Sequence, residues 1–480
     1  MKILFYNWIQ FDDLSGCGGG VNVYQKNLIE KMLEIGGYEI YFISSGTAYN
    51  FFTKRMYIEQ TDNIFGKKVN TYQIVNSPIM APGQNVVSQL DEYINDTSIL
   101  ELLDKFISVN GKFDVIHFNN IEGISAQTLN IKNKYPEIKI IISMHNYYLV
   151  CPQVNLWQCE NINCLDSEKG FICDICLNCH PNIKKQYYVK CIDYIVKRIC
   201  NSNESILWQE YCYIKQMLRK LKAIFSKNDQ RVIPLELSLH PTIFDDFRRK
   251  NIELVNANVD VVLAVSKRTA EIARLFGINN NILRTEYIGT KVAENQFIRK
   301  PKIKKKSLNI AYMGYMRKDK GFYFFVNALK RVPKEIAKNI NLLIATKKNN
   351  EEKHKLIIRE LTSMYEKVTI KYDYNHSEIE DLLKDIDIGV VPVLWEDNLP
   401  QVAIEMKANG IPLLCSDGGG ACELSKATFF KYEKGNYEEF VNKIIFIFEN
   451  REILNTYWYD SMELVSMDRH IEILEKIYRK

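Results

Sequence analysis

Two carboxylates and a run of glycines mark the stretch of this sequence best equipped for chemistry. Asp397 and Glu405 lie within Asp387 to Leu424, DIGVVPVLWEDNLPQVAIEMKANGIPLLCSDGGGACEL, and Gly418, Gly419 and Gly420 follow them. Glycines let backbone amides approach a ligand where a Cβ would clash. Loops that leave the carboxyl ends of parallel strands and enter helix N-termini form the usual crevice for an anionic ligand in open α/β sheets. A second glycine run, Gly16 to Gly20 interrupted by Cys17, follows the apolar segment Lys2 to Tyr6. His145 stands at the end of the apolar run Ile138 to Met144, on what would be the same functional rim.

The elements needed to position these residues are legible in the pattern. Ile388 to Val393 and Ile411 to Cys415 read as short strands buried on both faces. Pro400 suits the first turn of the helix between them, and Gly410 suits its end. Strands are predicted at Lys2 to Tyr6, Tyr38 to Ser44, Asp114 to Phe118, Ile138 to Met144 and Val259 to Val265. After a basic, proline-containing stretch at 299–306 the pattern restarts, with a strand at Leu308 to Met313, a glycine loop at Gly314 to Gly321 and a helix at Phe322 to Leu329. Two α/β domains are therefore expected, each opening with strand, glycine loop and helix. Residues 1–295 form the first, with an insertion at about 151–250; residues 305–455 form the second; residues 456–480 form a terminal helix. Residues 45–90 show no clear period.

With 480 residues, 46% hydrophobic and 25% charged, the chain has ample material for large cores. A net charge of +5 is too mild to argue for a nucleic-acid partner. No apolar run approaches the length of a membrane-spanning helix, and the first residues lack a signal-peptide pattern. A cytoplasmic location is expected, and with it cysteines that serve as thiols or metal ligands rather than disulfides.

Two stretches fall outside the α/β pattern. Cys151, Cys159, Cys164, Cys173, Cys176 and Cys179, followed by His180, crowd soft ligands into one loop. Cys159, Cys164, Cys173, Cys176 and Cys179 are candidate ligands of a structural zinc ion. An iron–sulfur cluster and a loop of free thiols are the alternatives. Residues 183–227 then hold ten Lys or Arg against three Asp or Glu, a net of +7. Within them Leu207, Tyr211, Ile214, Leu218, Leu221 and Phe225 form one apolar stripe of a helix. Such a helix either lies on an anionic membrane surface or packs its stripe onto its own domain.

The second half resembles the family 4 retaining glycosyltransferases. The resemblance rests on Gly314 to Gly321 (GYMRKDKG), Ile386 to Pro392 (IDIGVVP), Asp397 to Glu405 (DNLPQVAIE), Ala408 to Ser416 and Asp417-x-Gly-Gly-x-x-Glu423, in that order. Upstream, Gly18, Gly19 and Gly20, the run His145-Asn146-Tyr147 before Cys151-Pro152, and Ser266 before its helix are similar to the family's N-terminal landmarks. The resemblance implies the GT-B architecture, two Rossmann-like domains facing across a cleft, with the last helix crossing back to the first domain. The C-terminal domain is then expected to bind a nucleoside diphosphate sugar and the N-terminal domain an acceptor.

Residue roles follow from the same resemblance. Glu405 is expected to hold the ribose hydroxyls, since a carboxylate accepts two such bonds at once. Asp397 stands where the family usually has glutamate and is expected to contact the donor sugar, with Glu396 beside it as a substitute. Asn398, Leu399 and Pro400 complete that loop. Lys320 is expected to neutralise the leaving diphosphate, with Arg317 or Lys318 as a second charge. Tyr315 stands where the family often has arginine. Gly18, Gly19, Gly20, Gly418, Gly419 and Gly420 are expected to donate amides, and His145 to touch the donor sugar. The implied function is metal-independent transfer of a hexose-type sugar, with retention, to a glycan or lipid-linked acceptor. A catalytically degenerate partner subunit is the alternative. Asp385-x-Asp387 precedes a strand and is not read as a metal site.

Overall fold

The computed structural model describes residues 1–13, 18–83, 90–159, 161–165, 170–177, 183–200, 205–225, 243–298, 306–348 and 352–479. The strands are β1 (Lys2–Tyr6), β2 (Glu39–Ala48), β3 (Tyr57–Thr61), β4 (Val69–Val75), β5 (Val115–Phe118), β6 (Lys139–Met144), β7 (Trp157–Gln158), β8 (Ile162–Asn163), β9 (Val261–Ala264) and β10 (Leu283–Thr285) in the first half. The second half adds β11 (Leu308–Met313), β12 (Ile340–Thr346), β13 (Lys367–Tyr372), β14 (Ile388–Val391), β15 (Leu413–Ser416) and β16 (Lys431–Tyr432).

Two sheets organise the chain. The first has the order β10-β9-β6-β5-β1-β2-β4-β3 and the second β13-β12-β11-β14-β15-β16. All neighbours are parallel except β3 and β4. The central strands are apolar and β-branched because helices cover both faces; β11 and β14 are buried at every position. β7 and β8 form a separate hairpin within the cysteine-rich insertion.

Several predicted boundaries coincide with the structure, including β1, β11 and the helix Phe322–Leu329. Residues 45–90, which show no clear period, build the far edge of the first sheet through β3 and β4. Of the segment 456–480 expected as a terminal helix, the long helix starts only at Met467. The five residues before it are drawn out across both domains. Lys407 Nζ donates to Leu424 O at 2.9 Å, to Ser461 Oγ at 2.6 Å and to Met462 O. Thr290 N then donates to Val465 O at 3.0 Å, so these residues are held extended before the helix forms. The helix Met467–Arg479 lies on the helix Gly19–Ile35, where Lys31 pairs with Asp468 at 3.1 Å.

The helix Ile206–Phe225 does not bury the expected stripe. Leu207 and Leu218 are each 62% exposed and Ile214 is 53% exposed, while Trp208 is buried. The helix instead packs on its neighbour Ile183–Ile199 partly through Asp193, which accepts from Lys215 Nζ at 2.6 Å and from Tyr211 Oη. The side chains of Leu221 and Phe225 and the stretch 299–305 lie outside the described residues.

One glycine fixes the geometry of the second glycine loop. Gly321 has φ of 71°, and a Cβ there would sit 1.6 Å from Pro392 O. The loop 314–321 can meet the end of β14 only because that atom is missing. Gly321→Ala is expected to lower stability by more than about 3 kcal/mol, the range of severe backbone clashes. Gly66→Ala, with a similar φ of 58° and open space around it, is expected to cost about 1 kcal/mol. Urea midpoints of the two variants check the difference; equal losses would contradict it.

Candidate functional site

β14 and β15 end side by side, and the loops that follow them meet the first domain. Ser416 Oγ donates to Val393 O at 2.7 Å, and Leu394 N donates to Asp319 O at 3.1 Å. These bonds hold residues 394–400 between the two glycine loops of the second domain. Trp395, Glu396, Asp397, Asn398 and Leu399 are all buried. Pro400 is the residue before the helix Gln401–Ala408, as its fixed φ suits.

Lys320 and Asp397 meet at the centre. Lys320 Nζ donates to Asp397 Oδ2 at 2.6 Å and lies 4.9 Å from the centroid of the Trp395 ring. The cation and carboxylate assigned from sequence to diphosphate and sugar are thus partners of each other. Arg317 is held by both oxygens of Asp319, at 2.9 and 2.7 Å. Lys318 Nζ sits 5.6 Å from the Trp157 ring, which belongs to the β7–β8 hairpin.

Glu396 has a different task from the one expected. Arg268 Nε and Nη2 donate to its two oxygens at 2.9 and 3.1 Å. Lys434 Nζ lies 3.6 Å away and Asn163 Nδ2 also donates to it. Burial alone would push the Glu396 carboxyl up, but Arg268 and Lys434 outweigh it and hold it below the usual carboxylate range. Glu396 is therefore a clasp between the domains and is not available to replace Asp397 on a sugar.

A second clasp lies nearby. Lys267 N and Arg268 N, the first amides of the helix Lys267–Leu275, donate to the Glu423 carboxylate at 2.9 and 2.7 Å. Tyr287 Oη donates to the same group at 2.5 Å. Ser266 caps this helix from within, accepting from Thr269 N. A carboxylate is favourable at this end because the helix dipole and orphan amides point at it.

The glycines are used mostly for close packing. A Cβ on Gly419 would lie 2.2 Å from Asp397 O, and one on Gly420 would lie 2.1 Å from Asn398 O and 2.9 Å from Ser266 Cβ. Gly420 N donates to Asp397 O at 2.8 Å, so this amide is committed to the loop rather than to a ligand as expected. Gly418 faces Lys434, whose Nζ would be 2.9 Å from a Cβ there. In the first domain Gly18 N donates to Asp13 Oδ2 at 3.0 Å, and Gly19 opens the helix with φ of 55°. A Cβ on Gly20 would lie 3.6 Å from Gln401 Cβ, so the N-termini of helices 19–35 and 401–408 approach each other across the cleft.

His145 faces the same cleft. Asn398 Nδ2 donates to the carbonyl of Met144, the residue before it, at 3.3 Å. The His145 ring lies 5.0 Å from that of Tyr24. Its Nε2 is buried and has no hydrogen-bond partner among the described residues. Burial, then the neighbouring His470, pushes the imidazole down to about 3, so it is neutral at physiological pH. Glu405 is buried on the helix 401–408, near Tyr374. Burial and then the Glu405 and Tyr315 groups push the Tyr374 hydroxyl up. Asp387 Oδ2 accepts from Asn309 N at 2.9 Å at the opposite, N-terminal ends of β11 and β14.

The described cysteines do not converge as a metal centre. Among the described residues no three His, Cys, Asp or Glu side chains stand where they could hold one ion. Cys151, Cys164, Cys173 and Cys176 instead line an apolar cavity with Leu156 and Trp157. Arg248 Nη2 donates to Cys173 Sγ at 2.9 Å, and Cys159 N donates to Cys176 Sγ at 3.1 Å. Cys179 and His180 lie outside the described residues.

The site thus brings Lys320, Asp397 and Asn398 against the segment around His145, with Glu405 buried on the adjoining helix 401–408. Sequence reasoning missed Arg268, Lys434, Asn163 and Trp157; Glu423 was visible in its motif but had no role. No local signal marks Arg268, because its partner is 128 positions away.

Comparison with known proteins gives the following. Residues 293–460 match the family model described as glycosyl transferases group 1. None of the curated protein sequences matches the chain. Among solved structures, sucrose-phosphate synthase from Thermosynechococcus elongatus is similar with a TM-score of 0.59 and 14% identity, over 100% of this chain and 98% of that one. HepE from Anabaena, solved in complex with UDP, is similar with a TM-score of 0.58 and 12% identity, over 100% of both chains. The lipopolysaccharide outer core galactosyltransferase WaaB, in its apo form, gives a TM-score of 0.55 and 14% identity, over 99% of this chain and 100% of that one. At such identities the likeness shows the fold, two parallel-sheet domains in the GT-B arrangement.

The Glu396 clasp has a pH signature. A carboxyl held below its unfolded value adds stability that is complete above about pH 4.3 and is lost as pH falls through the depressed value. Arg268→Met is expected to lower the Tm at pH 7 by a few degrees, and the gap to wild type is expected to shrink below about pH 4. Calorimetry from pH 7 to pH 3 checks this; a constant gap would contradict it.

Proposed function

Because the chain carries a glycosyl transferases group 1 domain at residues 293–460 in a GT-B fold, we propose that it transfers a hexose-type sugar from a nucleoside diphosphate sugar to a glycan or lipid-linked acceptor, with retention. The observation that carries this is the Lys320–Asp397 pair beside the N-terminus of helix 401–408, opposite Gly20 of the other domain. A diphosphate placed there meets the positive end of a helix and one ammonium. In the transfer the bond from C1 of the sugar to the diphosphate oxygen breaks, and a bond from C1 to an acceptor oxygen forms. The electron pair of the broken bond stays on the diphosphate oxygen, which takes up the acceptor proton. Lys320 stabilises that charge as it develops, and Asp397 is the carboxylate assigned to the oxocarbenium-like centre. His145, neutral, offers a hydrogen-bonding nitrogen to a sugar hydroxyl, and Glu405 holds the ribose. The chain's own cations supply the positive charge in this account, so EDTA is expected to leave transfer unchanged.

The similarity to a structure solved with UDP supports beginning the donor search with UDP-sugars. A panel of UDP-, GDP-, ADP- and CMP-sugars is expected to give transfer or slow hydrolysis with one of them. With that donor, Lys320→Ala is expected to lower kcat by about 10²–10³-fold. Glu405→Ala is expected to raise the donor KM by about tenfold, the loss of roughly 1.4 kcal/mol of binding. Unchanged kinetics in both variants would overturn the site.

A second reading, a non-catalytic partner subunit, draws on the commitment of Glu396 to Arg268 and of Asp397 to Lys320. It requires that no nucleoside diphosphate raises the Tm, whereas a bound donor at 100 times its Kd adds about 2.7 kcal/mol.

We also infer that the acceptor is met at an anionic membrane surface. The exposed Leu207, Ile214 and Leu218 on helix 206–225 sit in a stretch of net charge +7, the pattern of an interfacial helix. No helix among the described residues is long and apolar enough to cross a membrane. Leu207→Asp with Leu218→Asp is expected to cut sedimentation with vesicles containing phosphatidylglycerol by at least fivefold, with the Tm kept. Unchanged sedimentation would contradict surface binding by this helix.

A further inference from the structure

The last helix does more than close the chain. Its start is tied to the donor side: Lys407, on the same helix as Glu405, holds residues 424, 461 and 462. Its body is tied to the acceptor side. Tyr38 Oη donates to Glu475, and Tyr478 Oη shares a hydrogen bond of 2.7 Å with His117 Nδ1. His117 Nε2 in turn meets Ser143 Oγ at 2.8 Å, on the strand that ends just before His145.

Between these anchors His470 faces inward. It is buried, and its Nε2 lies 2.8 Å from Tyr24 Oη. Gly289 makes this approach feasible, since a Cβ there would sit 2.5 Å from His470 Cβ. His470 Nδ1 has no hydrogen-bond partner among the described residues, so Nε2, shared with the Tyr24 hydroxyl, is the ring's one hydrogen-bonding anchor there. Tyr24 then lays its ring 5.0 Å from His145, tilted by 48°. His470 and Tyr24 are both buried, so neither ring can turn without opening the packing around it. His145 has no hydrogen bond of its own through Nε2. With no hydrogen bond at that buried nitrogen, the orientation of the His145 ring depends on the surfaces that wedge it, and Tyr24 is one of them.

We propose that His470 is a positioning residue for sugar transfer: the terminal helix carries it back to the first domain, where it locks Tyr24 and through Tyr24 sets the angle of His145 at the cleft. The proposal rests on the reading of the cleft as a donor-sugar site. It makes the C-terminal helix part of the reaction geometry. Burial keeps both imidazoles neutral, His470 at about 4 and His145 at about 3, so the link is steric and hydrogen-bonded rather than one of charge.

The test uses full-length protein with His470→Phe, Tyr24→Phe and the double variant. Phenylalanine keeps a ring beside Gly289 and removes Nε2. Each single variant is expected to lower kcat about tenfold while donor KM stays within twofold. The double variant is expected to be no worse than either single one, because both remove the same link. His470→Gln returns an acceptor near the Nε2 position and is expected to recover most of the rate. Unchanged kcat, or losses that multiply in the double variant, would overturn the proposal.

A readout without any donor separates this idea from the functional reading. The rate of His145 modification by diethyl pyrocarbonate, followed by peptide mass spectrometry, is expected to rise at least threefold in His470→Phe. The rate at His354, buried in the other domain, should not change. If wild type transfers from no donor but His145 reactivity rises, the functional reading fails and the positioning link stands. If His145 reactivity is unchanged, the link fails whatever the enzyme does.

Discussion

Two carboxylates of the second domain are committed to one helix of the first. Glu423 accepts the leading amides of helix 267–275, and Glu396 accepts the guanidinium of Arg268 in its first turn. The two loops that carry these carboxylates are also those that build the cleft. Their shape is therefore set by the opposite domain as much as by their own sheet. The Arg268–Glu396 pair is well suited to this, because the guanidinium fork meets both carboxylate oxygens and Lys434 adds a second cation. Buried charges without such partners would push the domains apart.

The electrostatics of the cleft follow from that arrangement. With Glu396 taken up by the clasp, Asp397 is left to face Lys320, and the pair is internally neutral before a ligand arrives. A diphosphate would add negative charge to a place that already holds one carboxylate. What compensates is the backbone: the N-terminus of helix 401–408 meets Gly20 of the facing domain at close range. The terminal segment closes the arrangement from behind, running from residues 461–462 on Lys407 of the second domain to Tyr24 and His117 of the first. The cysteine-rich hairpin closes it from the side, through Asn163 on Glu396 and Trp157 under Lys318.

Much of this frame was legible in the sequence for local reasons. β11 and helix 322–329 could be placed because an apolar run, a glycine loop and an apolar period succeed one another without interruption. Asp397 and His145 could be singled out because each follows the end of an apolar strand, whereas Lys320 and the roles of Asp397 and Glu405 came only with the family resemblance. The clasps could not be read, since Arg268 and Glu396 carry no local mark of each other and meet only after both sheets are built. The glycines misled for a related reason. A glycine needed for close protein packing and one needed for a ligand look alike in sequence, and Gly420 proved to be the first kind. The stripe on helix 206–225 has a period that suits core and membrane surface equally, and its described members Leu207, Ile214 and Leu218 are exposed.

The central claim is that the cleft loops owe their shape to the opposite domain. Amide hydrogen exchange over residues 395–400 and 417–424 tests it most directly, in wild type and in a variant carrying Arg268→Met with Glu423→Gln. Both loops are predicted to lose protection together, although Arg268 belongs to neither, while β14 and β15 keep theirs. Protection unchanged in the 395–400 loop would contradict the account.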